Sequence, residues 1–306
     1  FGQARPNAED LWGRFDTLAI MVLKDSVNNG NVTGENNVGG LIGYSLGESV
    51  DYDNHTAMVG IISGINNGTI TGDSYVGGAI GYGEEYTREI IGFTNEGNIN
   101  GDFYVGGVVG AAFGRYSRVM TITNATNNGN VVGSAVVGGI AGDTQYITQS
   151  TNNGTVTSTS TMSHETFADP VSMTGGIAGA AEGVNDSVNT RDITVASGGN
   201  VTGGIVGFIF GDELSGNTNS GNVSSNGNYV GGIVGYMFLN TQFSNETSTF
   251  NIDDNINQGN ITGIAPGDVQ FIFTSNATGC QSDSSAVITI RSCTRNCSVV
   301  SRIVVA

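Results

Sequence analysis

The chain has 306 residues, with 10 Lys or Arg against 27 Asp or Glu and a net charge of −17. Nucleic acid and anionic membranes both reward basic surface, so this balance argues against either as a partner, and the plain reading of the acidity is a soluble, self-repelling exterior. No apolar run approaches the roughly 18–20 residues of a membrane span, which excludes direct insertion by a helix.

The chain begins at Phe1 rather than Met, as a processed or partial chain would. Residues 1–17 are unlike the rest of the chain, and "FGQARPNAEDLWGRFD" holds the single tryptophan, Trp12. It reads as an N-terminal arm or cap. The apolar run Leu18–Leu23 comes next and is followed by "VNNGNV". We read it as the last strand of an incomplete rung.

From there a phrase recurs. A glycine pair recurs at Gly39-Gly40, Gly77-Gly78, Gly106-Gly107, Gly138-Gly139, Gly175-Gly176, Gly203-Gly204 and Gly231-Gly232. The steps are 38, 29, 32, 37, 28 and 28 residues, a period that marks a repeat architecture. A second anchor is Asn-Gly or a relative, at Asn29-Gly30, Asn67-Gly68, Glu96-Gly97, Asn128-Gly129, Asn153-Gly154, Ser220-Gly221 and Gln258-Gly259. Short β-branched pieces lie between the anchors: "NVTG" and its variants, then "LIGY" and its variants. A third and more variable set reads "EIIGFT", "RVMTIT", "QYITQS", "RDITVA" and "STFNID". Alternation and β-branching give these strand character, and helical spacing is hard to find in the repeats.

The spacing predicts an all-β, parallel β-solenoid over residues 18–264, with about eight rungs and three short strands per rung. At ~4.8 Å per rung the body is roughly 40 Å long. Glycine is expected at corners that need positive φ. Val38, Val76, Val105, Val137 and Val230 are expected to form one inward column, and Ile42, Ile80, Val109 and Ile233 another. The Asn-Gly turn is missing near Ser197–Asn200, and a Ser/Thr-rich insertion, Thr157–Met173, reads as a surface loop.

Residues 265–306 leave the repeat. They carry three strand-like pieces, "VQFIFT", "AVITIR" and "SVVSRIVVA", and all three cysteines: Cys280, Cys293 and Cys297. In an oxidising compartment two of these pair and one is left over or used between chains; the spacing does not choose the pair.

Twelve Asn-X-Ser/Thr triplets punctuate the chain, at Asn31, Asn54, Asn67, Asn124, Asn153, Asn185, Asn200, Asn222, Asn245, Asn260, Asn276 and Asn296. Random placement of 34 Asn and 58 Ser or Thr would give about six. Some follow the repeated turn, but Asn54, Asn124, Asn245, Asn276 and Asn296 do not. The excess points to N-glycosylation and so to an extracellular or cell-surface location.

Candidates for chemistry are few. His55 and His164 are far apart in variable segments, and the acidic pairs Asp51-Asp53, Glu84-Glu85 and Asp253-Asp254 lack the spacing of a calcium loop. No nucleophile elbow and no phosphate cradle occur. The sequence therefore predicts no enzyme, no cofactor and no metal. A carbohydrate-active alternative would rest on Asp73, Asp102 and Asp143, and a glycan-binding one on an aromatic track of Tyr75, Tyr104 and Tyr229.

"GNVTGENNVGGLIGY", "GTITGDSYVGGAIGY", "GNINGDFYVGGVVG" and "GNVSSNGNYVGGIVGY" resemble GLUG-motif repeats. The resemblance covers about residues 28–263. It implies a repeat scaffold of a secreted or surface protein, and it carries no catalytic residue to this chain. The expectation is an extracellular structural glycoprotein, a self-assembling fibre subunit that pairs with copies of itself through its terminal segments. The alternatives are an adhesin whose partners are glycans or other cell-surface components, and the carbohydrate-active enzyme.

Overall fold

The structure, a computed structural model, describes residues 3–4, 19–47, 49–51, 55–85, 87–113, 120–160, 172–196, 201–238 and 251–262. Among these the fold is all-β, and its strands stack turn upon turn in four sheets. Every ladder is parallel except the small hairpin of Ser49–Asp51 on the start of His55–Ile62. This is a parallel β-solenoid.

Each turn visits four positions. An asparagine sheet of eight two-residue strands runs from Val27–Asn28 to Ile256–Asn257. A second sheet, also of eight, runs from Val32–Thr33 to Ile261–Thr262. A double-glycine sheet of seven comes third, from Asn36–Gly39 to Tyr229–Gly231. The long sheet closes the turn. It is one unbroken strand in Ala141–Thr148, Ala178–Asn185 and Val206–Ser215, and two strands where insertions interrupt it, as in Ile42–Gly47 and His55–Ile62.

The expected eight rungs are present, but a full rung has four positions rather than three. The asparagine strands are two residues long, too short to show a period. Ala19–Lys24 pairs in parallel with His55–Ile62, so the apolar run is the end of an incomplete rung, as expected. Part of the N-terminal arm joins the same rung, with Gln3 and Ala4 laid against Tyr44 and Ser45. "RDITVA" is not a third strand: Ile193–Val195 pairs with Val156–Ser158 and Val223–Ser225 in the second sheet. The turn of that rung is Asn189-Thr190-Arg191, with Thr190-Arg191 standing where Asn-Gly stands elsewhere.

The valine column holds its register and continues through two threonines: Val38, Val76, Val105, Val137, Thr174, Thr202 and Val230. The second column is Ile42, Ile80, Val109, Ala141, Ala178, Val206 and Val234, so Val234 rather than Ile233 continues it. Apart from a small cluster around Ala135, Val136 and Ala180, the buried apolar side chains among the described residues fill two cores. One lies under the long sheet, around Ile61, Ile80, Phe93, Ile122, Ile177 and Ile205. The other lies between the second and double-glycine sheets, around Ile70, Val76, Ile99, Val131 and Ile193.

The glycines are there for closeness rather than handedness. At Gly107 a Cβ would overlap the Gly139 carbonyl of the next rung and lie 2.5 Å from Asn127 Cγ. Left-handed φ occurs at Asn37, Tyr75 and Tyr104 in the double-glycine strands, at 54–57°, and at one corner just after the long sheet: Asp25, Ser63, Gly92, Asn124, Gln149, Asp186, Gly216 and Asp254, with φ between 50° and 68°. Only two of these eight are glycine. The polar ones suit this region better than β-branched residues would.

Candidate functional site

The feature that organises the rod is a ladder of buried asparagine side chains. Asn28, Asn66, Asn95, Asn127, Asn152, Asn189, Asn219 and Asn257 stand in register, one per rung. Each Nδ2 donates to Oδ1 of the next asparagine at 2.7–2.9 Å. Each Nδ2 also donates to the carbonyl two residues on in its own turn, at 2.6–2.9 Å. A carbonyl only accepts, so this second bond fixes which side-chain atom is nitrogen. The ladder is therefore one-directional: donors face the C-terminal end and acceptors the N-terminal end. From Asn66 to Asn219 the side chains are fully buried. Both amide hydrogens and the oxygen are used, which removes the cost of burying them. The second glycine of each pair meets the asparagine from across the coil. Asparagine and glycine thus pinch the coil between the two cores.

Two outer polar columns flank it. In one, Asn67 Nδ2 donates to Asn29 Oδ1, Asn128 Nδ2 to Glu96 Oε1 and Asn153 Nδ2 to Asn128 Oδ1, all at 2.8–3.0 Å. In the other, side-chain oxygens accept from backbone N–H groups one rung along: Asn31 from Thr69, Asn98 from Asn130, Asn222 from Asn260.

These columns bear on the sequons. Asn67 and Asn153 commit Nδ2 to the outer ladder, Asn185 to Glu213 Oε2 and Asn222 to Asp192 Oδ1. Asn31, Asn124 and Asn260 are exposed, and among the described residues their Nδ2 atoms make no bond. Asn54, Asn200, Asn245, Asn276 and Asn296 lie outside the described residues, as do Cys280, Cys293, Cys297 and His164.

The carboxylates of the enzyme alternative do not converge. Asp73 and Asp102 are exposed at one corner on successive rungs, with the Asp102 N–H donating to the Asp73 carbonyl at 2.8 Å. Asp143 lies within the long sheet, in register with Ala111 and Ala180. His55 starts the strand His55–Ile62. Glu84 accepts the Tyr44 hydroxyl at 2.5 Å, and Asp253 and Asp254 are exposed, while Asp53 lies outside the described residues. Among the described residues no three His, Cys, Asp or Glu side chains are grouped to hold a metal, and no helix is long and apolar enough to cross a membrane.

The aromatic track divides in two. Tyr75 and Tyr104 stack on each other, with centroids 5.0 Å apart and planes at 5°. Tyr82 joins them from the long sheet, 4.8 Å from Tyr75, and Tyr44 lies 5.6 Å beyond it. Tyr229 belongs to a second group, edge-on to Tyr236, which stacks on Phe208. The ring faces of Tyr75 and Tyr104 are turned along the rod and cover one another.

Asp143 sits between the two groups. The residue is half-buried, but Oδ1 is enclosed and has no hydrogen-bond partner among the described residues. Burial pushes its pKa up to about 7, the nearby Glu182 charge adds to this, and the Thr144 backbone N–H opposes it. A carboxyl raised above its ordinary value penalises the native state when ionised. Stability is therefore full below about pH 4 and falls as pH rises towards 7, by at most about 4 kcal/mol. Asp143→Ala would complete an alanine row with Ala111 and Ala180. We expect it to melt at a higher temperature than the wild type at pH 8 and at the same temperature at pH 4, read by circular dichroism. An equal gain at both pH values would place the cause in packing instead.

The class defined by this geometry is a parallel β-solenoid held by a polar ladder. No family model, curated protein or solved structure matches the chain.

Proposed function

We propose that this chain is an extracellular structural glycoprotein, a rod of GLUG-like repeats that self-assembles into a surface or extracellular fibre through its terminal segments, with no catalytic role. The observation that carries this reading is the stack of eight rungs, in unbroken register through the three shorter sheets, with edges open at both ends among the described residues. Parallel edges invite pairing with another chain. The docking of Gln3–Ala4 on the long-sheet edge supports a pairing role for the terminal segments. Exposed Asn31, Asn124 and Asn260 suit carbohydrate attachment, which keeps a rod of this kind soluble between contacts.

Electron microscopy at rising protein concentration tests the proposal. Filaments should appear above a threshold and should fail to form when Phe1–Asp16 or Ser298–Ala306 is deleted. Unchanged assembly in both deletions would sink the role of the terminal segments. A second reading, a glycan-binding adhesin, is favoured by the partly exposed aromatic group of Tyr44, Tyr75, Tyr82, Tyr104 and Phe113. Dispersed rods that bind glycans saturably would support it over the fibre.

A further inference from the structure

The two ends of the rod are unlike and complementary. At the N-terminal end the ladder starts with Asn28, whose Oδ1 accepts only the N–H of its own Gly30 among the described residues, at 3.2 Å. That bond leaves room for another donor. Asn152 Oδ1 takes the equivalent bond from Gly154 and also the ladder bond from Asn127. At the C-terminal end Asn257 donates Nδ2 to the Gly259 carbonyl, and its second amide hydrogen, which elsewhere reaches the next rung, has no partner among the described residues. One end presents an acceptor and the other a donor.

The core is unfinished at the same end. In the second sheet the inward column Ile70, Ile99, Val131, Val156, Ile193 and Val223 is fully buried, yet its last member, Ile261, is 42% exposed. Val32 begins that column at the other end and is half-buried. Outside the asparagine sheet, Val27 and Ile256 begin and end one outward column and are 50% and 47% exposed. Strand counts agree as well: the asparagine and second sheets hold eight strands each. The eighth position of the double-glycine sheet falls beyond Thr262, outside the described residues.

We infer that a second copy of this chain stacks on the rod head to tail, so that Asn257 Nδ2 of one copy donates to Asn28 Oδ1 of the next and the asparagine ladder runs on through the junction. This rests on the fibre reading and sets its polarity and register. Val32 of the incoming copy covers Ile261, and Val27 lies beside Ile256. Such a contact joins unlike surfaces by a translation along the axis, so it never closes and yields an open filament. A copy adds about eight rungs, so the axial repeat is about 40 Å.

The test measures the critical concentration for filament formation by the full-length chain, with the melting temperature of the dispersed chain as the control. Asn257→Asp keeps the acceptor for Asn219 and removes both donors, the one to the next copy and the one to the Gly259 carbonyl, the latter at the half-buried open end of the ladder. We expect its critical concentration to rise at least about tenfold, with little change in melting. Ile256→Glu should likewise block assembly, and Ile256→Glu with Val27→Lys should restore it in a salt-sensitive way. Filaments of wild type that are indifferent to Asn257→Asp and Ile256→Glu, or whose repeat is far from about 40 Å, would overturn the stacked junction and leave the fibre reading standing. Wild-type protein that forms no filaments at any concentration would overturn both.

Discussion

Asn127→Ala is expected to lower stability by about 3–6 kcal/mol, a large part of what an ordinary domain possesses. The change strands an amide hydrogen of Asn95 and the carbonyl of Gly129, and it leaves Oδ1 of Asn152 with the Gly154 N–H alone. Each buried group without its partner costs about 1–3 kcal/mol. Asn127→Asp should be worse at neutral pH, because it removes both donors and leaves a charge where none is compensated. The informative control is the next residue. Asn128 is exposed, and its bonds to Glu96 and Asn153 lie on the surface, so Asn128→Ala should cost under about 1 kcal/mol. Urea unfolding gives both values. Because turns of a coil can open separately, faster amide hydrogen exchange around Thr126–Gly129 should accompany the loss. If Asn127→Ala is no worse than Asn128→Ala, the ladder does not hold the rod.

The second large effect is at the glycine that faces this ladder. Gly107→Ala places a methyl group into the Gly139 carbonyl and 2.5 Å from Asn127 Cγ. Neither neighbour can retreat, since one is backbone in the next rung and the other is bonded above and below. The rungs must part, at a cost above about 4 kcal/mol, and the chain is expected to be recovered poorly and to melt far below the wild type. Gly30→Ala is the matching control. A Cβ there comes no nearer than 3.9 Å to Asn28 Oδ1, so the chain should fold and melt much as the wild type does. A Gly107→Ala protein with normal melting would mean that the coil is looser than its geometry.

The coil itself is legible in the sequence because the glycine pair, with a valine or threonine before it, keeps one phase through every insertion. Val38 to Val137 align as expected. What escapes is what lacks length or contrast. Val27–Asn28 and its relatives are two-residue strands, too short for any period to register. Ile193–Val195 is easily misplaced because Thr190-Arg191 replaces the Asn-Gly landmark. The ladder asparagine hides because asparagine beside glycine reads as an exposed turn. A signal is available: this position is asparagine in all eight rungs, while the residue after it is Asn, Asn, Glu, Asn, Asn, Thr, Ser and Gln. Constancy beside variation marks the buried site. The role of glycine is equally ambiguous at that level, since steric closeness and left-handed φ leave the same residue in the sequence.

The direction of the hydrogen bonds has a mechanical side. They run along the rod from turn to turn, so tension applied at the two chain ends loads them one turn after another rather than all together. A turn that lets go frees 25 to 38 residues, the spacing between successive ladder asparagines. Extended, that is about 85–130 Å of slack per event. Such a rod would yield stepwise under load, lengthening several-fold before it parts, and would rewind when the load is removed. A tether on a surface exposed to flow would dissipate a sudden pull in this way.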